Sequence, residues 1–254
     1  MHADAWFCRG GGHPVGQDYA RAGVTAAGRP YALVADGCSS SPNTDCGARL
    51  LVLAAVEALE RGVPVADLGP AAVARAAEAA GGLLSPLALD ATLLAAVGAP
   101  DGSVEVAAFG DGVVFGVRAD GTLEAWPIDQ GGVPAYPSYG LDAGRLAHLR
   151  RSRGLTDSSV DPAGCNPLAP AVHAFEAADW RLVGVASDGL EAFRDGPALV
   201  PVAQVLGHVT DIRVPVGRFV ERSSTFFLRR TCPRLGWTPG DDYSVGALWL
   251  GESP

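Results

Sequence analysis

The chain has 254 residues, of which 48% are hydrophobic and 19% charged, and carries a net charge of −9. That acidity leaves no basic surface to recruit a phosphate backbone, which argues against nucleic-acid binding, and no apolar run approaches the ~18 residues of a membrane span. Lysine is absent, so a P-loop and any Schiff-base or Ser-Lys mechanism are excluded.

Along the chain, the apolar run Tyr31-Ala-Leu-Val-Ala35 reads as a buried strand that ends on Asp36-Gly37. Asn43 to Gly62 fits a helix that Asn43 or Thr44 can cap, with Leu50, Leu53, Ala54 and Ala58 at helical spacing. A second helix is expected in Ala66 to Gly82, beginning near Pro70 and stopped by Gly81-Gly82. Short strands follow at Ala91–Val97, Val104–Phe109, Val113–Arg118 and Thr122–Trp126. The Asp-Gly pairs between them suggest type I′ hairpin turns and an antiparallel meander.

Pro127 to Tyr139 is rich in glycine and proline and reads as a surface loop. Asp142 can cap a helix running to Arg153, and Arg181–Ala186 is another buried strand. Helices around Val200–Leu206 and Gly217–Arg230 precede a last strand, Tyr243–Leu250. Local connections of this kind indicate an α+β fold, with mostly antiparallel sheets flanked by helices. No linker or repeat divides the sequence, so one domain spanning 1–254 is expected. The five cysteines (Cys8, Cys38, Cys46, Cys165 and Cys232) include no Cys-x-x-Cys, and no signal-type segment begins the chain. Reduced thiols in a cytoplasmic protein are expected.

Six Asp-Gly pairs begin at Asp36, Asp101, Asp111, Asp120, Asp188 and Asp195. Asp101 and Asp120 stand between strands and read as turns, and Asp195 has no special context. Asp36 and Asp188 differ, because each ends an apolar run and no returning strand follows. Asp241 takes the mirror position, just before the terminal strand. Aspartates gathered at one sheet edge raise one another's pKa unless a cation sits between them. Oxygen ligands without His or Cys suit Mg²⁺ or Mn²⁺. Spacing alone leaves turns and a metal site both open.

The order of motifs goes further. Gly16-Gln17-Asp18, Val34-Ala35-Asp36-Gly37, Ala91-Thr92, Phe109-Gly110-Asp111-Gly112, Ala186-Ser187-Asp188-Gly189 and Asp241-Asp242-Tyr243-Ser244-Val245 follow one another across almost the whole chain. This series resembles the metal-dependent serine/threonine protein phosphatases of type 2C, the PPM family, in its bacterial form. The resemblance implies a four-layer α-β-β-α sandwich with two Mn²⁺ or Mg²⁺ ions at one end and a third, weaker site. It implies that Asp36 bridges the two metals with the Gly37 carbonyl as a ligand, that Asp188 and Asp241 bind the second metal, and that Asp18 acts through metal-bound water. Asp111, with Asp188, would serve the third ion. A metal-bridging hydroxide would then attack a phosphoserine or phosphothreonine of a protein directly, and the enzyme would oppose a serine/threonine kinase.

Several positions depart from the family pattern. Cys38-Ser39-Ser40-Ser41 stands where Met or His and glycines are common, Gly112 replaces a serine, and Asp242 replaces an asparagine. His13 occupies the slot of the phosphate-binding arginine, and Arg9 is the nearest substitute. These departures keep a second reading open, a pseudophosphatase or phospho-partner binding module without turnover. Cys38 beside a metal ligand could make activity redox-sensitive. A variable flap beside the metals is expected from Pro127 to Leu141 and onward.

Overall fold

Side chains that alternate across the strands build this fold, because each sheet buries both of its faces. A computed structural model of the chain describes residues 1–130, 134–155 and 166–251; Cys165 and part of the expected flap lie outside them. The strands are β1 (His2–Cys8), β2 (Tyr19–Val24), β3 (Pro30–Ala35), β4 (Leu93–Gly98), β5 (Val104–Phe109), β6 (Gly112–Arg118), β7 (Leu123–Ile128), β8 (Ala171–Phe175), β9 (Trp180–Ala186), β10 (Phe193–Asp195), β11 (Ala198–Leu199), β12 (Trp237–Pro239) and β13 (Tyr243–Trp249). The helices are α1 (Thr44–Glu60), α2 (Leu68–Ala80), α3 (Ala143–Ser152), α4 (Val202–Val209), α5 (Phe219–Phe226) and α6 (Cys232–Leu235), with a π turn, Phe227–Thr231, joining the last two.

One five-stranded sheet runs β1-β13-β9-β6-β7 and the other β2-β3-β4-β5-β8; a small third sheet runs β11-β10-β12. Every neighbouring pair is antiparallel. On β3, Tyr31, Leu33 and Ala35 face α1 and α2, whereas Ala32 and Val34 face the opposite sheet. On β9, Val183 and Val185 meet them in the middle layer, while Leu182 and Ala186 pack with residues of α4 and α5. Three buried layers thus separate helix, sheet, sheet and helix, as expected. A fully buried leucine such as Leu33 contributes about 1.5–3 kcal/mol.

The meander expectation needs correction. β4 pairs with β5 and β6 with β7, but β5 and β6 belong to different sheets. Asp111-Gly112 therefore carries the chain across the sandwich rather than around a hairpin. The turns at Asp101 and Asp120 are real, but not of type I′, which needs positive φ at both central residues. Gly102 and Gly121 have φ of 89° and 94°, and Asn43 is the one non-glycine with positive φ among the described residues. Each aspartate instead accepts a hydrogen bond from the backbone N–H two residues on, Ser103 at 3.0 Å and Thr122 at 2.8 Å.

Asn43 precedes α1 in the left-handed conformation, with φ 59° and no side-chain cap bond, so it turns the chain without capping by its side chain. Asp142 does cap α3, accepting from Gly144 and Arg145. The expected surface loop from Pro127 to Tyr139 is overturned at its far end, where Ala135, Tyr136, Pro137 and Ser138 are buried. β1, β2 and β8 had no counterpart in the sequence reading. The first is half-buried along its whole length and β2 mixes half-buried, buried and exposed residues, which blurs the apolar signal of each.

Candidate metal centre

Asp36 leaves the end of β3 held by Thr92. The Thr92 amide donates to the Asp36 carbonyl at 2.8 Å, and the Asp36 amide donates to Thr92 Oγ1 at 3.1 Å. Gly37 follows in a tight place. A Cβ there would lie 2.7 Å from Thr44 Cβ, so the first turn of α1 can approach only a glycine. The Gly37 amide donates to the Gln17 carbonyl at 3.3 Å, and Gln17 Nε2 donates to Thr44 Oγ1 at 2.9 Å. These bonds lay Gln17-Asp18 against Asp36-Gly37.

The other sheet supplies the next groups. Ser187, just past β9, donates from Oγ to Asp18 Oδ2 at 2.6 Å and accepts from the Ser244 amide at 3.1 Å. Gly189 packs on the Asp242 carbonyl, where a Cβ would collide. The ends of β3 and β9 and the start of β13 are thereby fixed at one edge. Asp18, Asp36 and Asp188 meet there, with Asp18 2% exposed.

Their electrostatics follow from that crowding. Burial drives the Asp36 carboxyl well above the usual carboxylate range, and the neighbouring Asp18 and Asp188 carboxylates push it further. Burial also raises Asp18, to about 6, against the opposing hydroxyls of Ser187 and Ser244. Asp111 is raised by burial and, more weakly, by Asp129 and Asp188, although its Oδ1 accepts from the Gln130 amide at 3.0 Å. Glu191 is raised by burial and by Asp188, Asp129 and Asp111. Asp188 thus borders both Asp36 and a second acidic group around Asp111.

Asp241 lies at the mouth, its side chain 44% exposed. Its Oδ1 accepts from the Asp242 amide at 2.7 Å and lies 3.3 Å from His13 Nδ1. Asp242, noted in the sequence only as a departure, is the buried member of the pair. It is 3% exposed and accepts from the amides of Gly10 at 2.7 Å and Gln17 at 2.6 Å. His13 Nδ1 is 3.4 Å from Asp242 Oδ2, so the imidazole stands between two carboxylates. Arg9 Nη1 donates to the carbonyls of His13 and Pro14 at 2.8 and 3.2 Å, which braces the glycine loop. A cleft of about 320 Å³ opens beside His13, Gln17, Ser39 and Thr44.

Sequence reading also missed Ser187 and Asp90. An apolar run ending in Ser-Asp-Gly hides the serine beside the more conspicuous aspartate. Asp90 precedes β4 and is buried, and its partners lie 48 to 55 residues away, beyond any local signal.

The donor set fits hard divalent cations. Asp18 Oδ1 and Gln17 Oε1 are buried and find no hydrogen-bond partner among the described residues. A separate group at the mouth, His13, Asp241 and Asp242, places one nitrogen and two carboxylate oxygens within 4.8 Å of one another, and Asp241 sits in it rather than against Asp36. A buried polar atom without a partner is costly, and a cation at this edge would relieve both the orphaned oxygens and the mutual repulsion.

A protein-family model described as Protein phosphatase 2C matches residues 11–212. The chain belongs to the protein phosphatase 2C family. Its activity class is that of a serine/threonine protein phosphatase, a metal-dependent hydrolase of phosphoproteins. Solved structures share the fold. The S. agalactiae serine/threonine phosphatase superposes with a TM-score of 0.59 at 14% identity, covering 98% of this chain and 99% of that one. The PP2C domain of the cell fate determinant SpoIIE from Bacillus subtilis gives 0.57 at 14%, covering 96% of this chain and 60% of that one. The RsbU and RsbW domains of a Mycobacterium tuberculosis protein give 0.59 at 16%, covering 98% and 59%. No curated protein sequence matched. Among the described residues, no helix of this phosphatase is long and apolar enough to cross a membrane.

Proposed function

We propose that this phosphatase acts as one domain, in the cytoplasm, on phosphoserine and phosphothreonine of proteins, opposing a serine/threonine kinase. Asp36, with the Gly37 carbonyl, Asp188 and Asp241 would hold two Mn²⁺ or Mg²⁺ ions, and Asp111 with Asp188 a third. The observation that carries this reading is the meeting of Asp18, Asp36 and Asp188 from two sheets, where the groups that raise Asp36 are burial and other acids. Acids so placed call for positive charge from outside the chain. Divalent cations bound there supply Lewis acidity, lowering the pKa of water and offsetting phosphoryl charge.

The chain's own part is to orient. Asp18, seated on Ser187 beside Asp36, is placed to accept a hydrogen bond from a water at that edge and so orient it. The bonds from Thr92 and Gly37 hold the Asp36 backbone still while this happens. His13, between Asp241 and Asp242, closes the rim of the cleft where a phosphopeptide would enter. In this arrangement His13 and Arg9 serve the rim and its loop, and direct phosphate contact by either is left to His13 Nε2, which lies 3.5 Å from Ser39 Oγ. The binding-module alternative gains no support from the described site, where the acidic groups are in place.

The test is phosphate release from a phosphothreonine peptide with Mn²⁺, Mg²⁺ or EDTA, for wild type and Asp36→Asn. Turnover with either metal, absent in EDTA and in the variant, is expected. Turnover that persists in both would contradict the metal reading.

A further inference from the structure

Asp90 is a buried acid of a different kind. Its side chain is 4% exposed and Arg145 Nη2 lies 2.8 Å from both carboxylate oxygens. Ser138 Oγ donates to Oδ1 at 2.7 Å and Ser41 Oγ to Oδ2 at 2.9 Å. Arg145 is on α3, Ser138 in the turn Pro137–Leu141 before it, and Ser41 in the loop that follows Gly37. The backbone joins in, because the Cys38 amide donates to the Asp90 carbonyl at 2.8 Å. Tyr136, buried in the same segment, lies beside Cys38, and Tyr139 stacks under the Arg145 guanidinium at 4.3 Å.

One carboxylate therefore gathers donors from three places: the metal-loop residues Cys38–Ser41, the segment Tyr136–Ser138, and α3. Two residues separate β3 from Asp90's first contact on that loop, and they are Asp36 and Gly37. Leu149 is the one buried residue of α3, so the polar contacts to Asp90, more than apolar packing, hold this helix against the loop. We infer that Arg145 and Asp90 are positioning residues for the phosphatase reaction, clasping the 134–152 segment to the loop behind Gly37 and so setting where Gly37 and Asp36 stand.

The inference rests on the metal-site reading, and the experiment separates the two. Mn²⁺ dissociation constants by calorimetry, and KM and kcat on a phosphothreonine peptide, are measured at 25 °C for Arg145→Met, Arg145→Lys, Ser138→Ala and Asp36→Asn, alongside thermal melting. Loss of outer-shell support commonly costs about 10–100-fold in metal affinity. Arg145→Met is expected to raise the Mn²⁺ Kd and the KM about tenfold, and Ser138→Ala less. Arg145→Lys keeps one cationic nitrogen able to face both oxygens and is expected to recover most of the loss. Should Arg145→Met not fold, Ser138→Ala and the paired change Asp90→Asn with Arg145→Met carry the test, since the pair leaves no buried charge unmatched. Kd and KM within twofold of wild type in every folded variant, with only the melting temperature lowered, would overturn the inference. Asp36→Asn with wild-type Mn²⁺ affinity would sink the metal-site reading instead, and KM for the Arg145 and Ser138 variants would then decide the clasp.

Discussion

Asp18 and Asp90 are nearly equally buried, at 2% and 3% exposure, and their surroundings are opposite. Asp90 has an arginine, two hydroxyls and a full set of hydrogen bonds. Asp18 has the Ser187 hydroxyl on Oδ2 and the Ser244 hydroxyl nearby, a second oxygen with no hydrogen bond among the described residues, and the Asp36 carboxylate for a neighbour. The first carboxylate is satisfied by the fold. The second group is left short of positive charge, which the cation proposed for this edge would supply. Burial alone does not separate a structural acid from a functional one; the sign of its neighbours does.

The comparison can be broken most forcefully at Asp36. Asp36→Asn should lower kcat by about 10³-fold or more, since the Lewis acidity held there is worth several kcal/mol of transition-state stabilisation. Steady-state assays at saturating Mn²⁺ check this. On the satisfied side, Arg145→Met strands the Asp90 charge and should cost about 3–5 kcal/mol of stability, read by urea unfolding. Adding Asp90→Asn should return much of it.

A smaller effect sharpens the contrast through pH. A carboxyl raised to about 6 in the folded protein, against an ordinary value of 3.8, binds more protons folded than unfolded between those values. The contribution of Asp18 to stability must therefore fall as pH rises through that window and level off above it, while Asp36, also raised, prolongs the fall. In EDTA, unfolding free energy should drop by about 1–3 kcal/mol from pH 4 to pH 7 through Asp18. Asp18→Asn should make this slope shallower, the remainder coming from Asp36 and its neighbours, and Mn²⁺ should restore stability at pH 7. A metal-free protein whose stability climbs smoothly over the same range would contradict the crowding. The smallest effect belongs to the turns: Asp101→Ala and Asp120→Ala should each cost about 0.5–1.5 kcal/mol, one hydrogen bond's worth, and leave kcat/KM unchanged.

The sequence makes Asp36 and Asp188 conspicuous because each ends an apolar run without a returning strand, and both reach the site. Mostly antiparallel sheets flanked by helices were legible for a similar reason, as apolar runs and helical spacing are local, whereas the four-layer order came from the resemblance to the family. Asp111 was placed in a meander because which sheet a strand joins is settled by distant pairing; β5 meets β8 and β6 meets β9. The buried stretch Ala135–Ser138 carries glycine and proline on its flanks, so its composition suggests exposure, while its burial depends on Asp90 and Cys38 far along the chain. Asp242 was overshadowed by Asp241 for want of any local sign that its acceptors would serve Gly10 and Gln17.

Calorimetric titration of Mn²⁺ into metal-free wild type and Asp36→Asn at pH 7 tests the central claim most directly. The account predicts saturable binding to the wild type, accompanied by proton release as the crowded carboxylates ionise, and binding weakened at least about tenfold in the variant. Equal affinity in the two proteins, or no binding to the wild type, would contradict it.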